Sequence, residues 1–396
     1  MTKFTHPGQS AITPDEERAI TARRFAALMA AAAAGQDTPG YDTVEMVHGA
    51  NNSASLPTRT EPVMAAVLAL ADAYVAPRRT EALLVWHRGA LIHARYFDGV
   101  TAETPINAKS LAKPLGTIAV ARAIQLGSIA SLDTPVAHYV TQWADDPLRA
   151  RILVRHLLDM RSGFRRQDFS ASADDVMNRA YLSPRHDEVI IDEYPLTSEP
   201  GTQFDYSNAT SEMIAPLIER ATELRYGAFL SREVLVPLGM AGGPIWVNRP
   251  GGTAHSGCCI GLPAQSWLRL ALVVLERGGT VLDPAFIREM TTGTAENPRY
   301  GLGVWLEGDY LPIRSFVASQ RSGDPPAPAP GGANFSEPLV DKDVVLFDGN
   351  GNQVAFIVPS RDLIILRLGQ TPPRELGWDN SYLPNLIARA AEGTIR

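Results

Sequence analysis

The chain has 396 residues, 45% hydrophobic and 20% charged, which is enough to bury a large core and to form two domains. With 43 acidic against 36 basic residues and a net charge of −7, it lacks the basic footprint of a nucleic-acid binder. No apolar run approaches the roughly 18 residues that span a bilayer, so no membrane-spanning helix is expected.

Residues 1–61 read as a polar extension, punctuated by Gly, Ser and Asn, with one helix and no assigned function. Within it, "ARRFAALMAAAAAG" (22–35) sets twin arginines before an apolar run, a faint likeness to an export signal. The run follows the acidic "PDEER" and is rich in Ala, the strongest helix former. A packing helix and a cytoplasmic chain are therefore expected.

"EALLVWHRGALIHARYF" (81–97) is two β-rich runs split by turn residues, a hairpin pattern. Helical pattern follows from Leu111 to Gly127, and "ILVRHLLDM" and "SEMIAPLIERATE" continue it between about 150 and 240. Cys258 and Cys259 are adjacent and cannot staple distant segments; a vicinal bridge is strained and rare, so free buried thiols are expected. "PAQSWLRLALVVLERGG" (263–279) is a further helix stopped by its glycines. "SGDPPAPAPGG" (322–332) reads as a surface loop. The strands "DVVLFD", "QVAFIV" and "DLIILRL" and a closing helix near "YLPNLIARAAEG" end the chain.

With strands at both ends and helices between, the chain is expected to be α+β. Residues 62–140 and 285–396 would form an antiparallel sheet flanked by helices, with a mostly helical domain, 141–284, inserted between them.

One short stretch carries chemistry. "NAKSLAKPL" (107–115) holds two of the four lysines of the chain. Pro114 lacks an N–H and fits only the first turn of a helix, so the helix begins near Ser110. From there it is apolar on almost every side, which marks a buried helix. A serine hydroxyl needs a neighbouring base to act as a nucleophile. Lys113, three residues on, falls on the same helix face as Ser110, and desolvation favours the neutral form of such an amine. The free N–H groups at the helix start, that of Ser110 included, suit a developing oxyanion. Taken alone, the pair reads equally as an N-cap and a solvated lysine. No Gly-x-Ser-x-Gly elbow, P-loop or Gly-x-Gly-x-x-Gly is present. The eight histidines are scattered, so no metal site, zinc included, and no cofactor are expected.

"INAKSLAKPL", followed in order by "ILVRHLLDMRSGF", "FDYSNATSEMIAPLIERATE", "ALVVLERGG", "RYGLGVWL" and "LFDGNGNQVAFIVPSRDLIILRLG", resembles the Ser-x-x-Lys serine hydrolases of the class C β-lactamase and penicillin-binding type. Their esterase and 6-aminohexanoate-dimer hydrolase branches are included, and the likeness runs from about 80 to 395. It implies a β-lactamase-like fold, Ser110 as nucleophile with Lys113 as its partner, and Tyr206 and Asn208 as the Tyr-x-Asn second motif. Tyr206 beside Lys113 could act as base and return the proton to the leaving group. Whether Lys113 or Tyr206 is the base stays open. Asn208 would orient the lysine or a substrate carbonyl.

The third motif departs from the family. Where β-lactamases carry Lys-Thr-Gly, this chain has Phe347-Asp348-Gly349, then Asn350. The cation that would hold an anionic substrate is missing. Gly349 would still allow close approach of substrate, and the Asn350 N–H would be a second oxyanion donor. Phe169 stands near where the 6-aminohexanoate hydrolases carry a tyrosine that helps an amide nitrogen leave. The resemblance thus implies an acyl-enzyme hydrolase of small neutral esters or amides, with esters favoured. The alternatives are a β-lactamase or D,D-peptidase-like activity, or a non-catalytic ligand-binding relative.

Overall fold

The computed structural model describes residues 11–34, 36, 40–51, 55–168, 170–307 and 335–392. The Pro/Gly stretch 322–332 and Phe169 lie outside them. Helix α1 (Pro14–Ala33) starts ahead of the Ala-rich run, where Thr13 and Glu16 close a capping box. Its Arg24 is buried; it pairs with Asp42 and donates to the carbonyls of Leu182 and Asn248. The second arginine of the twin is thereby a structural anchor. Strand β1 (Val44–Val47) pairs with β5 (Gly243–Trp246), so the extension is stitched to the middle of the chain.

Helix α2 (Ala65–Val75) precedes the hairpin of β2 (Thr80–His87) and β3 (Ala90–Tyr96). Its turn places Arg88 and Gly89 at positive φ, 47° and 77°, the two-residue geometry that matches strand twist. The short strand β4 (Ile106–Asn107) leads into a 3₁₀ turn (Lys109–Ala112) and helix α3 (Lys113–Gln125). Pro114 stands in the first turn of α3, and residues 113–121 are all buried. The middle of the chain is chiefly helical: α4 (Val154–Leu158), α5 (Val176–Leu182), α6 (His186–Asp192), α7 (Asn208–Glu212), α8 (Ile214–Thr222) and α9 (Tyr226–Leu230). Strand β6 (Gly261–Leu262) pairs with β4, and α10 (Ala264–Leu275) follows. Helix α11 (Pro284–Met290), strands β7 (Trp305–Leu306), β8 (Val345–Gly349), β9 (Gln353–Val358) and β10 (Leu363–Gly369), and helix α12 (Tyr382–Glu392) complete the described chain.

The main sheet has six strands in the order β3-β2-β10-β9-β8-β7, every neighbouring pair antiparallel. The β2–β10 ladder joins the two ends of the chain, as the strand pattern predicts. Both faces are covered, which is why "ALLVW" and "LIIL" are continuous apolar runs. Alternation still sorts them: Leu83, Val85, Leu363 and Ile365 face one core with α2 and α12. Leu84, Ile364 and Leu366 face the other, with α3 and α10. Helix α10, which the sequence reading places in the helical segment, packs on β2, β9 and β10. Among the described residues no helix is long and apolar enough to cross a membrane.

Candidate active site

The site is built where the 3₁₀ turn Lys109–Ala112 packs against β8. Asn107 Oδ1 accepts the Lys109 N–H at 3.0 Å, and Lys109 itself takes a left-handed φ of 55°. Such strain in a non-glycine residue persists only where the surroundings enforce it, and it turns the chain so that Ser110 faces a cavity. Lys113, buried at the start of α3, places Nζ 2.9 Å from Ser110 Oγ, 3.2 Å from Asn208 Oδ1 and 3.0 Å from the Gly257 carbonyl oxygen. Three acceptors around one nitrogen fix its position. Asn208 opens α7, which is tied to the "RSGF" segment by a 2.7 Å hydrogen bond between Ser162 and Thr210.

Tyr206 is buried just before α7, stacked on Trp305 at 5.8 Å. Its ring centre lies 4.9 Å from Lys113 Nζ, within cation–π range. Ser110, Tyr206 and Asn208 thus converge on the Lys113 nitrogen.

Gly257 is a partner that the sequence reading missed. It sits on the loop between Ala254 and Ile260, and the β4–β6 ladder (Asn107 with Gly261) locks that loop beside the Ser110 turn. A Cβ at Gly257 would stand 2.4 Å from Ser211 Oγ, so only glycine lets the loop lie so close to α7. The loop is held further by Glu212, which accepts the Ser256 N–H at 2.9 Å, and by Ser256 Oγ, which donates to the Ser211 carbonyl. Glu212 is fully buried, and that burial pushes its carboxyl up from its ordinary value.

Asn350 lines the cavity with Ser110, Asn208, Lys109, Cys258 and Leu28; its volume is about 240 Å³. Gly349 does not line it. Its open side is filled by the chain itself: a Cβ there would stand 2.2 Å from the Ala108 carbonyl oxygen. The glycine lets the Ser110 turn seat on β8, in place of the substrate contact expected for it. Phe347 is fully buried in the core, and Asp348 is half-buried. Lys109, adjacent to the serine in a chain with four lysines, is a cation that sequence could have flagged. Leu28 carried no such signal, since α1 reaches the cavity only through tertiary packing.

Cys258 and Cys259 are joined by a disulfide, against the expectation of free thiols. The backbone turns between them, with φ of 71° at Cys259, and brings the adjacent sulfurs together.

Comparison with known proteins follows the same lines. A family model described as Beta-lactamase matches residues 69–382. A search of curated proteins finds no match. Among solved structures, the "Putative 6-aminohexanoate-dimer hydrolase from Bacillus anthracis" is 16% identical, with 89% of this chain and 92% of that chain covered and a TM-score of 0.66. Simvastatin synthase (LovD) from Aspergillus terreus is 17% identical over 84% and 100% of the two chains, TM-score 0.60. EstCE1, a hydrolase with promiscuous acyltransferase activity, is 18% identical over 83% and 98%, TM-score 0.59. At these identities the structures show a shared fold.

Proposed function

This chain belongs to the beta-lactamase family, and from that premise we propose that it is a serine hydrolase that forms an acyl-enzyme at Ser110 and cleaves small carboxylic esters or amides. The observation that carries the reading is the 2.9 Å contact between Lys113 Nζ and Ser110 Oγ, with Asn208 and Gly257 holding the same nitrogen. In this reading Ser110 Oγ attacks the substrate carbonyl carbon while its proton passes to the Lys113–Tyr206 pair. The pair returns the proton to the leaving oxygen or nitrogen, and water then cleaves the acyl-enzyme by the same route reversed. The N–H groups of Ser110 and Asn350 are the proposed donors to the oxyanion. No cofactor is required. A cavity of about 240 Å³ suits a small acyl group, and the absence of a lysine from Phe347-Asp348-Gly349 favours neutral ones.

The test is labelling by a fluorophosphonate probe: wild type should label and Ser110→Ala should not. Equal labelling of the two removes Ser110 as nucleophile.

A second reading rests on Lys109. This buried lysine lines the cavity beside Ser110 and could replace the missing third-motif cation for an anionic acyl substrate, as in a β-lactamase or D,D-peptidase. Comparing kcat/KM for p-nitrophenyl butyrate and nitrocefin, in wild type and Lys109→Met, separates the two. One charge-assisted contact is worth roughly 1.5–3 kcal/mol, about one to two orders of magnitude. A preference for the neutral ester that Lys109→Met leaves unchanged supports the first reading. Efficient nitrocefin hydrolysis that collapses in the variant supports the second.

A further inference from the structure

Behind the loop that carries Gly257 lies a cluster that the proposed reaction does not use. His186 on α6 and His255 on the loop are both fully buried, their rings stacked with centroids 4.1 Å apart. Trp246 stacks on His255, also at 4.1 Å. Among the described residues, neither nitrogen of either imidazole has a hydrogen-bond partner. Buried polar groups in native proteins are paired, so four orphaned ring nitrogens in one place need an explanation. The buried carboxylate of Glu212 faces both rings: its Oε2 lies 3.8 Å from His186 Nε2 and 3.5 Å from His255 Nδ1.

These separations are too long for hydrogen bonds and close to those of ligands around one ion. Tetrahedral ligands at about 2.1 Å from a metal stand about 3.4 Å from one another. Two imidazole nitrogens and one carboxylate oxygen are a donor set suited to zinc among the divalent first-row ions. We propose that His186, Glu212 and His255 bind a divalent transition-metal ion, zinc by donor type, as a structural ion. It fastens α6 and α7 to the loop whose next residues hold Lys113. The rings lie 14° from parallel, so binding requires one of them to tilt out of the stack before both lone pairs meet the ion. Sequence carries no sign of this group, and none was expected: positions 186, 212 and 255 have no motif spacing, and only the fold brings them together. A second group, His255 with Cys258 and Cys259, also falls within 4.8 Å, but the disulfide occupies its sulfurs.

The experiment uses the full chain, purified without reductant, loaded with zinc and dialysed against zinc-free buffer. We expect one zinc per chain by elemental analysis, and a melting temperature lowered several degrees by a strong chelator and restored by zinc. Cobalt substitution should give the visible bands of a four-coordinate site, three side chains and one water, with no sulfur-to-cobalt charge-transfer band. His186→Gln and His255→Asn should each lose the ion and the chelator sensitivity. Failure of the loaded wild type to retain an ion, or full stoichiometry in both folded variants, overturns the proposal. A sulfur-to-cobalt band also overturns it, because it moves the ion to the cysteines. If a variant does not fold, the wild-type retention, melting and cobalt spectra still decide.

Discussion

Replacing Lys113 by Met keeps the unbranched stem and removes the one nitrogen on which Ser110, Asn208 and Gly257 converge. Two effects of very different size should follow. Each of the three hydrogen bonds is worth about 1 kcal/mol net, so their loss costs roughly 3 kcal/mol. Against this, the folded state no longer buries a polar amine, a relief of about 1–3 kcal/mol. The terms oppose, and stability should change by no more than about 2 kcal/mol in either direction. Nothing offsets the kinetic loss. Positioned proton transfer contributes about 10²–10⁴ in rate, or roughly 2.7–5.5 kcal/mol of barrier. The assay is turnover of p-nitrophenyl butyrate beside a thermal melt of the same sample. Combining the change with Ser110→Ala should cost no more than the worse single variant, because groups that act as a unit are not additive. A folded Lys113→Met enzyme that keeps its turnover within about threefold would refute the assignment of Lys113 to the proton path.

Gly257→Ala puts a methyl 2.4 Å from Ser211 Oγ and 3.0 Å from Glu212 Oε1; overpacking of this kind costs about 1–3 kcal/mol. It should also swing the carbonyl off Lys113, so ester turnover falls about tenfold or more, about 1.4 kcal/mol on the barrier; unchanged turnover would detach Gly257 from the positioning of the amine. Arg24→Met removes a buried guanidinium that holds Asp42, Leu182 and Asn248 together and should destabilise the fold by about 3 kcal/mol in urea titrations; a loss under about 0.5 kcal/mol would make α1 a loosely attached segment. His156 has its pKa depressed to about 4, chiefly by burial and then by the charges of Arg161 and Arg155, and its Nδ1 accepts the Leu153 N–H. Since the unfolded state binds the proton first, below about 6.5, stability is present above that pH and falls between about 6.5 and 4. The drop from pH 7 to 5.5 is about 1 kcal/mol for this one group. His156→Gln should flatten that part of the stability–pH curve as read by chemical denaturation, and an unaltered curve would remove His156 as its cause.

How far the site could be read from sequence depends on how local each constraint is. The Ser110–Lys113 pair was legible because three residues along a helix start make one turn, and Pro114 fixes where that start falls. The sheet was legible because turn residues punctuate its strands: Arg88-Gly89 closes one hairpin and Pro359–Arg361 another. Tyr206 and Asn208 became legible only through the ordered likeness to a family, since a tyrosine and an asparagine in a loop carry no pattern of their own. Gly257 and Glu212 were not legible, each for its own reason. A glycine signals only that some atom comes close, and here that atom, Ser211 Oγ, arrives from a helix 46 residues earlier. Glu212 falls inside an amphipathic run where a charged residue is expected to face water, yet it is turned inward, where it accepts the backbone N–H groups of Ser256 and Gly257. Lys109 is legible as a cation beside Ser110, but its left-handed conformation is not, because that comes from Asn107 and the packing on β8. The same packing explains Gly349. A glycine at the end of the third-motif strand suggests room for substrate, but the room is taken by the Ala108 carbonyl. The strand therefore backs the Ser110 turn from behind, and in the proposed reaction the acyl group would meet the wall formed by Asn350, Lys109 and Asn208.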